Sequence, residues 1–444
     1  MKSASSRSLP SRAFTSGGFR TVLAGAVLML GTAIHAKARA NAALPGEVLV
    51  QLTSTAALGP LLGKYQLSLL SQFGARPIYR LKVVGLVDVN AKIEALDLEP
   101  SVLNAEPNFV HQSPEARRVS SWTIGTPTAY TAQWVPGSLR LPEAHKLTTG
   151  AGMRVAVLDT GVDSRHPALA GKLLPGFDFV DFDNNPAEVG SRAANLSFGH
   201  GTHVAGLVAM VAPSAKIMPL RVLDAEGMGN AWVLAEAMLY AVDPDHNPAT
   251  NDGAHVINLS LGSTSRTNIL DTVVKLATCA IPAVVVLPTD DLADPGYNGD
   301  RQRCNGFSGA VVVAAAGNDA TDAVRQYPAA EGAYGLMSVG ASNAGKQIAG
   351  FSNFGSWVDV AAPGDGITST FPGGGYATWS GTSMAAPLAA GTAALVRALN
   401  PDLSPKDVAE RLVRVSAGLC GTDLRQVDAA AALLNVVPAD PTCP

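Results

Sequence analysis

Apolar runs alternating with helical segments predict a doubly wound α/β domain over residues 133–435, with a mostly parallel sheet flanked by helices. Three observations carry that expectation. Residues 155–158 (VAVL), 256–259 (VINL) and 311–316 (VVVAAA) lack the period of a half-exposed strand and read as strands buried on both faces. Helical stretches separate them, as parallel strands require. The chain is 47% hydrophobic and 15% charged over 444 residues, so a packed core is affordable and a disordered or fibrous chain is excluded. A formal charge of −4 with no block of Lys or Arg argues against a nucleic-acid surface.

The chain opens with Lys2, Arg7, Arg12 and Arg20 and no acid, then an apolar run at 21–34 and small residues Ala38 and Ala40. This reads as a secretory signal over 1–40. The apolar run would span about 21 Å as a helix, short of the roughly 30 Å of a bilayer core. No later stretch is long enough to cross a membrane, so an exported, extracellular protein is expected. Export makes disulfides available to Cys279, Cys304, Cys420 and Cys443, which allow three pairings. Sequence neighbours favour Cys279–Cys304 and Cys420–Cys443, each bracketing a polar loop, with free buried thiols as the alternative.

Residues 41–114 read as a small α+β unit. Strand-like runs fall at 47–52 and 78–83 and near Val102, and helical periodicity at 56–73 and 90–98. Polar residues 112–125, with Pro114, Arg117 and Arg118, read as an exposed linker, so 115–132 is assigned to a connecting region and 436–444 to a tail.

Three candidates for chemistry fall where strands end or helices begin. Asp159 ends RVAVLD and could orient an imidazole or cap a helix. His200 opens an apolar helix in GHGTHVAG. Ser383 stands at another helix start in SGTSMAAP, where an N-cap is the plainer role. Singly each is weak; their joint presence suggests Ser–His–Asp chemistry, in which the imidazole takes the hydroxyl proton and the carboxylate holds the tautomer.

AVLDTGVDSRHP, GHGTHVAG and SGTSMAAP together resemble the subtilases, the subtilisin-like serine peptidases. The resemblance continues through VINLSLG (256–262), VVVAAAGN (311–318) and FSNFGSWVDVAAPG (351–364). It implies a subtilisin-like fold and a serine endopeptidase acting through an acyl-enzyme, with Asp159, His200 and Ser383 as the triad and His203 structural. It also implies Asn318 as oxyanion-hole donor, a group whose removal costs about 10²–10³ in kcat, a magnitude known from subtilisin itself. Gly227, Gly229, Ser260, Leu261 and Gly262 would form two edges that clamp an extended peptide by strand addition. Ala315, Ala316 and Gly317 would wall a pocket for the residue before the cut (P1), leaving room for a large side chain, and Asp319 could favour a basic one. PGEVLVQL (45–52) and ALDLEPSVLNAEPNFV (95–110) resemble the family's propeptides. They imply that 41–114 is an inhibitory, ferredoxin-like prodomain, removed by self-cleavage within 111–122.

The sequence departs from the pattern in places. The stretches between Gly262 and Asn318, and between Asp183 and His200, are longer than a compact member needs. Ala168 replaces a carboxylate used in one frequent calcium site, whereas Asp178, Asp181 and Asp183 have spacing suited to another, or form a solvated acidic loop. No cofactor is needed for the chemistry; structural calcium is the only metal considered. Met384, beside Ser383, predicts sensitivity to oxidation. The expected partners are protein or peptide substrates and the chain's own propeptide, with the enzyme monomeric. An α/β-hydrolase would need G-x-S-x-G, and a zinc peptidase H-E-x-x-H; neither is present.

Overall fold

The structure, a computed structural model, describes residues 42–85, 87–117, 122–280, 295–306, 309–440 and 443. The signal expected at 1–40, and the centre of the long 279–308 loop, lie outside the described residues. Among the described residues no helix is long and apolar enough to cross a membrane.

A nine-stranded sheet forms the frame. Arg154–Asp159 lies near its middle, with Val256–Leu259, Val311–Ala315, Leu336–Ser342 and Val360–Pro363 following in parallel on one side. Lys216–Arg221 and Phe177–Asp178 complete the other side, also parallel. Only the terminal pair, Ala417–Gly418 with Arg425–Gln426, is antiparallel. The central strands are buried along their whole length, which explains why their sequences do not alternate.

Helices cover both faces. His200–Val211 and Thr382–Leu399 pack on one face in a core that includes Val204, Val208, Leu388 and Leu395. Ala231–Val242 and Asn268–Thr278 pack on the other, around Trp232, Leu234, Leu270 and Val273. Cys279–Cys304 and Cys420–Cys443 form the two disulfides favoured from sequence proximity.

The N-terminal lobe has strands Ala43–Leu52, Leu67–Gln72, Ile78–Val83 and Val102–Gln112 and helices Leu58–Tyr65 and Val89–Leu96. Its strand order, second-third-first-fourth with antiparallel neighbours, is the β-α-β-β-α-β arrangement. The helical reading of 56–73 is corrected: the helix stops at Tyr65. Gln66 turns left-handed (φ 51°), and residues 67–72 pair with Ile78–Val83. Leu69 and Leu70 are exposed on this edge strand, so their leucines carried no helical face.

This lobe sits on the two helices of the second face. Glu106 accepts the backbone N–H groups of Asn268 (2.7 Å) and Ile269 (3.0 Å), capping that helix from outside. Asn108 Oδ1 accepts the Trp232 N–H at 3.2 Å.

Candidate active site

Asp159 is the last residue of its strand, His200 the first of its helix, and Ser383 lies in the first turn of Thr382–Leu399. The fold brings all three to the carboxyl-end rim of the sheet, the usual place for ligands in this architecture. His200 Nδ1 bonds Asp159 Oδ1 at 2.7 Å. All three residues are at most 1% exposed.

A fourth residue, absent from the sequence-level candidates, stands among them. Glu115 Oε2 accepts from Ser383 Oγ at 2.6 Å and meets His200 Nε2 at 3.1 Å. Its other oxygen, Oε1, accepts from Asn318 Nδ2 at 2.9 Å. Asn318 is held for this role, since its Oδ1 accepts both Thr382 N (2.9 Å) and Thr382 Oγ1 (3.0 Å) and so turns the amide nitrogen inward. Gly381 matters here: a Cβ on it would fall 1.8 Å from Glu115 Oε1 and 3.1 Å from Asn318 Nδ2.

The electrostatics follow from two carboxylates on one imidazole. Burial alone would lower the His200 pKa, but Asp159 and then Glu115, by charge and hydrogen bond, push it up to about 10. Burial would raise Glu115, yet His200, Ser383 and Asn318 together hold it below its ordinary value. The centre is therefore an imidazolium between two carboxylates at neutral pH. His203 is the opposite case: burial, then the neighbouring His200, push it down to about 3. Neutral His203 donates Nε2–H to the carbonyls of Ile367 (3.2 Å) and Ala377 (3.1 Å), and Trp379 packs edge-on against both histidines.

The linker reading of 112–125 is also corrected at its start. Gln112, Ser113 and Glu115 are buried. Gln112 exchanges both backbone hydrogen bonds with Gly262 (3.0 and 2.9 Å), and Ser113 N–H donates to Gly227 O. On the other edge Val110, His111 and Gln112 pair antiparallel with Asn230, Gly229 and Met228. The chain thus runs as a strand between the 227–229 and 260–262 segments, then makes one helical turn at Pro114–Arg117 that aims Glu115 inward. Ser260 faces the same centre, its carbonyl 3.2 Å from Ser383 Oγ. Leu261 is buried beneath it.

Ala315, Ala316 and Gly317, expected from the resemblance to wall the P1 pocket, are all buried beside Asn318. Gln326 stands against Gly317: its Cγ lies 2.6 Å from where a Gly317 Cβ would be, and its Oε1 3.4 Å from a Cβ on Gly262. Gln326 Nε2 donates to Asp319 Oδ2 at 3.2 Å. Met384 is fully buried behind the serine.

The calcium expectation at Asp178, Asp181 and Asp183 is not supported. Arg221 Nη1 lies between Asp178 (2.6 Å) and Asp181 (2.5 Å) and supplies the positive charge. Asp183 turns away, its Oδ1 accepting the Asn185 N–H. Among the described residues the carboxylates that gather within 4.8 Å are Asp243, Asp245 and Asp252, in a different loop.

Comparison with known proteins identifies the family and the fold. Residues 150–432 match the subtilase family, Peptidase_S8. A thermophilic serine proteinase of Bacillus sp. (strain AK1) is 35% identical over 328 residues, covering 71% of this chain and 68% of the relative. Thermitase of Thermoactinomyces vulgaris is 37% identical over 285 residues, covering 62% and 85%. Among solved structures, fervidolysin from Fervidobacterium pennivorans, a keratinolytic enzyme related to subtilisin, shares the fold with a TM-score of 0.68 at 24% identity. That alignment covers 90% of this chain, which spans 62% of fervidolysin. Fold and relatives define the class, a serine endopeptidase. The chain belongs to the subtilase family.

Proposed function

We propose that the chain is the precursor of an exported subtilase that hydrolyses peptide bonds in extended protein segments through an acyl-enzyme. Ser383 is the nucleophile, His200 the general base and then acid, and Asp159 the group that orients and stabilises the imidazolium. Asn318 Nδ2, with the Ser383 N–H at a helix start, would bind the oxyanion. A substrate would add as a strand between residues 227–229 and 260–262, its main chain giving affinity and side-chain pockets giving choice. Residues 41–114 act as an inhibitory propeptide, and the basic, apolar start of the chain as an export signal.

One observation carries the reading: a single carboxylate, Glu115, touches Ser383, His200 and Asn318 at once. Those three groups therefore face one small volume, where an acyl carbon and its oxyanion would form. With Glu115 in place no main-chain carbonyl can occupy the Asn318 site, which supports a resting, self-inhibited precursor. A fluorophosphonate probe should label the processed enzyme at Ser383, and a Ser383→Ala precursor should keep its N-terminal lobe. Labelling at another residue, or processing at the wild-type rate in Ser383→Ala, overturns the assignment.

A further inference from the structure

Glu188 lies in the stretch before His200 that exceeds the family pattern. The loop folds back over the turn after Asp159. Val162 N–H donates to Pro186 O at 2.9 Å, and Ala187 O stands 2.6 Å from where a Cβ on Gly161 would fall. Glu188 is partly exposed as a residue, but its carboxylate is enclosed and accepts four hydrogen bonds. Oε1 takes Thr202 N and Thr202 Oγ1, both at 2.9 Å; Oε2 takes Thr160 Oγ1 at 3.1 Å and Gly199 N at 3.2 Å.

These partners belong to the two elements that carry Asp159 and His200. Thr160 follows Asp159, its N–H donates to Asp159 Oδ1 at 2.7 Å, and its Oγ1 accepts Gly201 N at 2.9 Å. That Asp159 oxygen is also the one bonded to His200 Nδ1. The helix beginning at His200 has Gly199 as its N-cap, a residue with no side chain to satisfy the first N–H groups. Glu188 supplies the missing acceptor from a separate loop and ties the helix start to the Asp159 turn.

We propose that Glu188 is a positioning residue for peptide hydrolysis, holding the Asp159 turn and the His200 helix at the separation their hydrogen bond requires. This rests on the serine-peptidase reading above. Glu188 touches no substrate edge. The far end of its loop does approach one, through Asn195 Nδ2 to Glu226 Oε1 (2.5 Å) and Ser197 Oγ to Glu226 O (3.2 Å). Collapse of the loop would thus disturb substrate binding, whereas loss of positioning would act on the chemical step alone.

The titratable groups around the carboxylate are Asp159, His200 and His203 on the capped helix, and Asp163, whose N–H donates to Thr202 Oγ1 at 2.9 Å. Burial and the Asp159 charge push Glu188 up to about 7, against the pull of its Thr202 and Gly199 bonds. Loosening the Asp159–His200 bond lowers the His200 pKa, since Asp159 is the group that chiefly holds it up. The acid limb of kcat/KM then moves to lower pH.

The test uses enzyme processed from the full-length precursor, with kcat, KM, Tm and pH profile measured on a peptide substrate after active-site titration. Glu188→Ala is expected to lower kcat about tenfold or more, since small misplacements of reacting groups are costly, with KM within about twofold. Glu188→Gln, able to keep the Thr202 bonds but not to accept at both sites, is expected to fall between wild type and Glu188→Ala. Both should shift the acid limb downward. Unchanged kcat in either folded variant overturns the proposal. So does a fall in kcat matched by a rise in KM with the acid limb unmoved. Should Glu188→Ala fail to fold, Glu188→Gln decides by the same criteria. An inactive wild-type enzyme would instead strike at the peptidase reading.

Discussion

Glu115 and Ser383 share a 2.6 Å hydrogen bond although 268 residues separate them, and it places a carboxylate oxygen directly against the hydroxyl expected to attack substrate. The same oxygen meets His200 Nε2, so the proton relay is interrupted at the point where it must run. Replacing Glu115 by Ala in the precursor removes three buried contacts, two of them to groups bearing or gaining charge. Such bonds are worth about 1.5–3 kcal/mol each. Fluorophosphonate labelling of Ser383 in the intact precursor should accelerate roughly 10- to 100-fold. Equal rates in wild type and Glu115→Ala would remove the blocking role.

The block should depend on pH with a definite sign. His200 rises from an ordinary 6.5 to about 10 when held between the two carboxylates. Asp159 supplies the larger part of that rise and stays in place when Glu115 leaves, so only the smaller share owed to Glu115 favours the closed state, and it disappears as pH rises through about 10. Glu115 is lowered from 4.5, so its share is present above that value and is lost as acid drives it through its depressed pKa. Labelling of the precursor should stay slow around neutrality and speed up on approaching pH 10. In Glu115→Gln the alkaline rise should begin at lower pH, because one of the charges supporting the imidazolium is gone. A wild-type rate that falls with rising pH contradicts the scheme.

Gly381→Ala should abolish most activity without unfolding the protein. The added methyl would stand 1.8 Å from the point Glu115 Oε1 occupies, where the oxyanion would sit, and 3.1 Å from Asn318 Nδ2; Gly381 is extended rather than left-handed, so backbone strain is not the issue. A loss near 10² in kcat is expected, on the scale of losing an oxyanion donor. Circular dichroism and Tm would establish that the fold survives, and activity within twofold of wild type would refute the crowding argument.

Gln326 should limit the P1 side chain. It packs against Gly317 and Gly262, the two segments expected to border the P1 side chain. Peptides with small P1 residues are expected to outperform those with Phe, and Gln326→Ala should raise kcat/KM for Phe about tenfold, the scale of one or two methylenes in a pocket. A P1 series in which Gln326→Ala and wild type rank identically would count against this.

Much of this site could be read in the chain. Asp159, His200 and Ser383 each lie in a local pattern whose strand end or helix start is dictated by nearby residues, so position along the sequence already fixed their place in the architecture. Disulfide partners 23 and 25 residues apart were legible for the same reason of proximity. Asp178 and Asp181 show the limit, since spacing fits an ion but not the Arg221 side chain that arrives from another strand. Gln112–Glu115 looks like a polar connector because polarity predicts exposure only when no other surface has a cleft waiting.

Local periodicity, motif order and chain proximity thus determined the doubly wound sheet, the family and the three groups proposed to react. Only the tertiary structure decided that Glu115 meets Ser383 and His200, that Glu188 caps the His200 helix and that Gln326 stands against Gly317. The physical reason is common to all three: each acts through side-chain atoms meeting groups on separate elements, and such meetings leave no period or spacing in the sequence.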